Sequence, residues 1–222
     1  MKKTSFSKQA LLTLALTWGI FASALILSMT QTWTYPLFSG QKINSHALTE
    51  RTIQKNYEGL IHYCLDPGQN DLTFRGLTQS RPALTHFAEV KVIFQVILWT
   101  GLACLLLSLI LGVRAYKKKD LRFLPWTFRL SLILPFLLSL PLVFFFDRAF
   151  ILFHHLAFSN DYWIFDPTTD PIINYLPETF FQNMVFLIVG IWVFLLLILR
   201  FGIQPYLKRK LQRKHSWKLF LG

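Results

Sequence analysis

The stretch VIFQVILWTGLACLLLSLILGV (92–113) is followed at once by the basic stretch RAYKKKDLR (114–122). An apolar run of about 20 residues forms a helix long enough to cross a hydrocarbon core of roughly 30 Å. Three further apolar runs of similar character lie at 11–29, 130–146 and 183–199. The sequence therefore predicts an all-α polytopic membrane protein, a four-transmembrane-helix bundle with two structured extracytoplasmic segments.

The composition of the whole chain agrees with a membrane protein. The 222 residues are 53% hydrophobic and include 22 Phe, which is too apolar for a soluble domain of this size. The formal net charge of +12 favours anionic membrane lipids as partners. We predict no nucleic-acid partner, because no soluble domain accompanies the basic tail, and no obligate protein partner.

The positions of the charges predict the orientation of a single membrane domain covering 1–222. Lys and Arg cluster at both termini and in 114–129, and basic loops remain in the cytoplasm. The segments 31–91 and 147–182 hold every acidic residue except Asp120, so they should lie outside. A cleavable signal peptide is the alternative for the first run. We favour an uncleaved anchor, because the apolar stretch is longer than a usual signal core.

The two outer segments should carry structure of their own. Apolar residues at helical spacing predict an amphipathic helix over Glu50–Leu65, and a second helix should begin at Arg81 and continue into the second span. The apolar stretch Arg148–Phe158 is typical of a short helix at the membrane interface. Aromatic residues after the first span, among them Trp33 and Tyr35, indicate an interfacial belt.

Two histidines are the leading candidates for chemistry. His86 and Glu89 lie three residues apart on one helix face, where a carboxylate can orient an imidazole that acts as a general base. A solvated interfacial histidine is the alternative for His86. His154 and His155 are adjacent, so their side chains point about 100° apart on a helix and only one of them should face the interior.

Other polar residues are weaker candidates for binding a substrate. Asn160, Asp161 and Trp163 could position a lipid headgroup, although a turn and an interfacial anchor are their usual roles. Tyr57 could donate a hydrogen bond, although it falls on the packed face of its helix.

No cofactor motif and no local metal-ligand spacing occurs in the sequence, so we predict neither a cofactor nor a metal. A site built from His86, His154 and a carboxylate such as Asp161 is the metal-dependent alternative.

Three stretches together resemble a known family. They are NYEGLIHY (56–63), HFAEVK (86–91) and FHHLAFSNDYWIFDPTTDPIINYLPETFF (153–181), of which the third is the most specific. They resemble the bacterial lipoprotein intramolecular transacylases, and the likeness covers essentially the whole chain. The family pattern has Asp where this chain has Glu89, three residues after the first histidine.

The resemblance implies an acyltransferase of the bacterial cytoplasmic membrane with its active site on the extracytoplasmic side. Such an enzyme acts on diacylglyceryl-modified lipoproteins and moves one ester-linked acyl chain to the α-amino group of the N-terminal Cys, leaving the lyso form. The paired catalytic histidines of the family map onto His86 and His154. We expect His86 to take the proton of the amine and His154 to donate one, with Glu89 holding the His86 ring. A non-catalytic lipid-binding or accessory envelope protein is the alternative function.

Overall fold

The computed structural model describes residues 4–39 and 48–220, with only the backbone at 138, 143 and 214–220. All regular elements in these residues are helical, which confirms the predicted fold class. The α-helices are α1 (Phe6–Met29), α2 (Tyr35–Phe38), α3 (Glu50–Leu65), α4 (Arg81–Lys117), α5 (Phe123–Phe144), α6 (Phe146–Ala157), α7 (Glu178–Leu197) and α8 (Gln204–Phe220). Short 3₁₀ turns cover Thr32–Thr34 and Pro171–Tyr175, and a π-helical stretch, Ile198–Ile203, joins α7 to α8.

Among the described residues, four helical stretches are long and apolar enough to cross a membrane, as the sequence predicted. They are Phe6–Met29, Arg81–Lys117, Phe123–Leu142 and Glu178–Arg213. The helices extend beyond the apolar runs, since an apolar run marks only the part of a helix that lacks charge. The third run differs at its end, because Phe145 has a non-helical backbone (φ −143°, ψ 48°) that separates α5 from α6.

The chain forms two compact units, and the first consists of residues 1–25, 100–137 and 189–222. Its core holds apolar side chains of α1, α4, α5 and α7, among them Leu12, Phe123, Trp192 and Leu196. Phe21 packs on Trp192 with ring centroids 5.1 Å apart. In a membrane, helices associate through close packing and interhelical hydrogen bonds, whereas the core of a soluble protein is stabilised mainly by the hydrophobic effect.

Small and polar residues bring α1 close to its neighbours within this unit. A Cβ added at Gly101 of α4 would overlap the Cβ of Ala22 on α1, so the two backbones approach closely at this point. A 3.0 Å hydrogen bond joins the buried hydroxyls of Ser131 on α5 and Thr17 on α1. Small residues at such crossings are typical of helices packed in membranes.

The second unit consists of residues 26–99 and 138–188. Tyr35, Tyr57 and Phe180 form a buried aromatic cluster, in which the first two rings stack with centroids 4.7 Å apart. The Tyr35 hydroxyl donates to the carbonyl of Tyr175 at 2.5 Å. The prediction that Tyr35 belongs to an interfacial belt was therefore wrong. Trp33 is 65% exposed and keeps the character expected of that belt.

A buried carboxylate fixes the start of α4 in this second unit. Asp170 Oδ1 accepts a 2.6 Å hydrogen bond from the Ser80 amide, just before α4 begins at Arg81. The Ser80 hydroxyl accepts from the Ala83 amide, as an N-cap residue does. The 166–175 segment is thereby attached to the first turn of the helix that carries His86.

The contact between Gly101 and Ala22 gives a test of this packing. Replacing Gly101 by Ala should lower the free energy of unfolding by about 1–3 kcal/mol, because the added methyl group meets a Cβ that cannot rotate away. The thermal unfolding midpoint in detergent measures the effect. Gly190→Ala on α7 is the matched control, since its Cβ would enter open space. Equal midpoints for the two variants would contradict the close approach.

Candidate active site

The first turns of α4 present His86 to the interior of the second unit. Its side chain is only 7% exposed. The edges of Phe158 and Phe165 contact its ring, with centroid distances of 4.7 and 5.6 Å, and Phe87 lies 5.8 Å away. His86 is therefore held mainly by aromatic packing, and its predicted alternative as a solvated interfacial residue does not fit this burial.

The last turn of α6 presents His154, also 7% exposed, while the adjacent His155 is exposed. Nδ1 of His154 lies 2.7 Å from the carbonyl oxygen of Phe150, one helical turn earlier. Because a carbonyl oxygen can only accept, Nδ1 carries the hydrogen, and Nε2 of the neutral ring keeps its lone pair. The backbone of α6 thereby fixes which nitrogen can act as a base.

Burial favours the neutral form of this ring. It lowers the pKa of His154 below the ordinary value of 6.5, and nearby His155 lowers it further. The bond to the Phe150 carbonyl acts in the opposite direction but is outweighed by the burial. At neutral pH, His154 is therefore an uncharged imidazole whose Nε2 can accept a proton.

The two imidazoles meet inside the second unit. Their ring centroids are 5.9 Å apart, with the planes inclined at 35°. Trp163 stacks on His154 at 4.6 Å, and Phe158 lies against both rings. This aromatic enclosure, defined by Phe150, Phe158, Trp163 and Phe165, buries the pair in apolar surroundings, where electrostatic interactions are stronger than in water.

Glu89 has a different partner from the one expected. The side-chain amide of Asn160 donates to Glu89 Oε1 at 2.8 Å, and the other end of the Asn160 side chain accepts from the Tyr162 amide at 3.0 Å. Nδ1 of His86 has no hydrogen-bond partner among the described residues. Glu89 is therefore held by the turn that follows α6, and no hydrogen bond joins it to Nδ1 of His86.

Three buried polar atoms on these residues have no hydrogen-bond partner within the described chain. They are His86 Nδ1, Glu89 Oε2 and Trp163 Nε1. Buried polar groups in proteins are nearly always paired, and an orphan group costs about 1–3 kcal/mol. A carboxylate oxygen that accepts, an indole N–H that donates and an imidazole nitrogen are thus available to a polar ligand.

The remaining candidates lie in other surroundings. Asp161 is exposed, and its main-chain carbonyl accepts from the Ile164 amide in a turn. Tyr57 belongs to the aromatic cluster with Tyr35 and Phe180. Within the described residues, no group of three His, Cys, Asp or Glu side chains is arranged to hold a metal ion.

Sequence reasoning missed the aromatic enclosure. Phe150 stands four residues before His154 on the same face of α6, and that spacing could have identified it, whereas Phe158 follows the end of the helix with an extended backbone. Phe165 lies beyond the helix in an irregular segment, and no local pattern connects it to His86.

Comparison with known proteins identifies relatives of the whole chain. The family model for the lipoprotein intramolecular transacylase Lit matches residues 10–181. The in meso structure of the membrane-integral lipoprotein intramolecular transacylase Lit from Bacillus cereus is similar, with a TM-score of 0.82 and 31% identity over 93% of this chain and 96% of that one. No curated protein sequence matches the chain.

Two further structures of the Bacillus cereus protein carry a substitution of one histidine. The alanine variant has a TM-score of 0.81 at 31% identity, and the arginine variant 0.74 at 30%. In both cases the match covers 93% of this chain and 94% of the other.

Proposed function

Since the chain belongs to the lipoprotein intramolecular transacylase family, we propose that it converts a diacylglyceryl-modified lipoprotein to the lyso form. One ester-linked acyl chain moves from the S-diacylglyceryl group to the α-amino group of the N-terminal Cys. The observation that carries the proposal is the pair of buried imidazoles, His86 and His154, whose ring centroids are 5.9 Å apart. Aromatic rings enclose the pair, and Glu89 is close in sequence to His86.

The reaction exchanges one acyl bond for another within one molecule. The amine nitrogen attacks the ester carbonyl carbon, a C–N bond forms, and the C–O bond to glycerol breaks. One proton leaves the nitrogen and one proton arrives at the glycerol oxygen, so the reaction neither consumes nor releases a proton. Nucleophile and ester share a molecule, so holding them in attack geometry supplies much of the rate, and no serine or cysteine nucleophile is required.

His154 is the better candidate for the proton acceptor. Its Nδ1–H is committed to the Phe150 carbonyl, so the neutral ring offers only the lone pair of Nε2 to a substrate. This arrangement supports the reverse of the roles expected from the sequence. His154 takes the proton of the attacking amine and later returns it to the glycerol oxygen, while the ring N–H of His86 stabilises the developing oxyanion.

Glu89 and Trp163 complete the substrate contacts in this proposal. The free Oε2 of Glu89 accepts a hydrogen bond from the neutral α-amino group and orients it for attack, and Asn160 holds the carboxylate in place. The Nε1–H of Trp163 donates to an ester oxygen, while the indole face covers His154. Both orphan groups are then paired when substrate is bound.

The positions of the charges support the expected orientation of the protein. The basic clusters at both termini and in 114–129 favour a cytoplasmic position for these regions. The site residues belong to 31–91 and 147–182, which then face the extracytoplasmic side, where mature lipoproteins are displayed. The protein is a multi-pass bacterial membrane protein, and its substrate ester lies at headgroup depth.

Substitution of the two buried histidines tests the function. His86→Ala and His154→Ala should each reduce lyso-lipoprotein formation at least about 100-fold, because each removes a proton-transfer or oxyanion partner. A host that lacks this activity would co-express each variant with a diacylglyceryl lipoprotein, and mass spectrometry of the N-terminal lipopeptide would report the product.

His155→Ala is the matched control, because this exposed neighbour should be dispensable. Thermal unfolding of each purified variant separates loss of chemistry from loss of folding. Lyso product from a folded His154→Ala protein at the wild-type level would reject the assignment. A wild-type protein that yields no N-acylated product would reject the function itself.

The pH dependence of the rate tests the role of His154. The base must be neutral, and its pKa lies below 6.5, so the loss of activity that is due to protonation of His154 should appear only below pH 6.5. Trp163→Ala should expose His154 to water and raise its pKa toward 6.5. The pH below which kcat falls should therefore rise as well. The substrate amine titrates in the same way with the wild-type protein and with Trp163→Ala, so it does not affect the difference between their pH profiles. An unchanged pH profile would contradict His154 as the base.

A further inference from the structure

A cavity in the first unit carries a concentrated positive charge. It has a volume of about 280 Å³ and lies between the start of α1 and the end of α4. Lys8, Arg114, Lys117 and Lys118 line it, and Leu12 and Leu111 supply apolar walls. No acidic residue is among the lining residues, so four like charges share one small space without a counter-ion from the lining.

The nearest acidic candidate in the sequence is already paired. Asp120 accepts hydrogen bonds from Nε and Nη2 of Arg122, each at 2.9 Å, and from the Thr4 amide at 3.0 Å. These bonds lower the pKa of Asp120 to about 2, chiefly through Arg122. Its charge is therefore balanced by Arg122, and no ion pair within the described residues compensates the four cations of the cavity.

The basic residues are not needed to close the end of α4. The carbonyls of Arg114, Ala115 and Tyr116 accept from the amides of Lys118, Asp120 and Lys119. Lys119 has the positive φ of 55° that is typical of this kind of helix end. The backbone thus satisfies these three carbonyls, and within the described residues the side chains of Arg114 and Lys117 make no hydrogen bond or ion pair.

The positive charge of Lys8 lies near the N-terminus of its helix, where it destabilises the helix. It lies in the first turn of α1, where the helix dipole is positive and a cation is unfavourable. Thr4 also lines the cavity, and its hydroxyl is buried and has no partner among the described residues. An anion in the cavity would relieve the repulsion at Lys8 and pair the Thr4 hydroxyl.

We propose that this cavity binds the phosphate of an anionic membrane phospholipid. The phosphate contacts Lys8, Arg114 and the lysines at the end of α4, and an acyl chain extends over Leu12 and Leu111. Phosphate is the shared chemistry of a lipid headgroup and a free ion, and the apolar walls favour the lipid. Basic cavities between membrane helices are suited to such headgroups. None of these residues belongs to the candidate active site.

The test uses the full chain purified in a nonionic detergent. Native mass spectrometry and the thermal unfolding midpoint are followed while phosphatidylglycerol, phosphatidylcholine or inorganic phosphate is added. We expect one retained phosphatidylglycerol and a raised midpoint, with no comparable effect of the other two. An equal effect of phosphatidylcholine overturns the site. An equal effect of inorganic phosphate would show that the cavity binds the free ion, and would overturn the proposal that the phosphate belongs to a lipid.

Charge-matched variants locate the binding. Lys8→Gln with Arg114→Gln should weaken phosphatidylglycerol binding about 30-fold, since each cation near an anionic headgroup adds a similar increment. Lys208→Gln with Lys210→Gln, on the exposed face of α8, removes the same charge and should leave the affinity unchanged. If the first pair fails to fold, Lys117→Gln with Lys118→Gln replaces it, since both side chains are exposed. Unweakened binding in a folded cavity variant overturns the proposal.

Discussion

The 2.7 Å hydrogen bond from His154 Nδ1 to the Phe150 carbonyl is the constraint on which the site depends. It lies within one turn of α6, so the helix itself fixes the tautomer without help from a carboxylate. Residues that direct a base are often acidic, but a second charge would raise the basicity of the ring and attract water. Here a neutral carbonyl orients the ring, and burial keeps it uncharged.

A membrane enzyme for an internal acyl transfer needs few catalytic groups. The reacting amine and ester arrive together, so the protein has to fold the substrate and move one proton. The enclosure of Phe150, Phe158, Trp163 and Phe165 suits such a task, because it buries the two imidazoles and so limits competing water. Excluding water matters, since hydrolysis of the same ester is the competing reaction.

The sequence determined the helices well, because hydropathy and charge act locally. The bounds of α3, Glu50–Leu65, were predicted from helical spacing alone, and the start of α4 at Arg81 followed from Arg81-Pro82. Tyr35 was misplaced because an aromatic residue near a membrane surface has the same local pattern whether it anchors the chain or packs inside. Only the contact with Tyr57 and Phe180 distinguishes the two outcomes.

The candidate site was predictable in its residues but not in its connections. Adjacent positions showed that only one of His154 and His155 could face inward, and in the structure His154 is buried while His155 is exposed, although Trp163 contacts both rings. Glu89 was paired with His86 because they are neighbours on one helix. Its partner Asn160 lies 71 positions away and reaches it only through the turn after α6. Such tertiary contacts leave no trace in local spacing.

The central claim is that His86 and His154 act on one reacting centre, and a double-mutant cycle tests it most directly. Single-turnover rates would be measured for His86→Gln, His154→Gln and the double variant on one diacylglyceryl lipopeptide. Residues that act as a unit are strongly non-additive, so the double variant should be within about tenfold of the slower single variant. If the loss of rate in the double variant equals the product of the two single losses, the two imidazoles act independently, which would contradict the account.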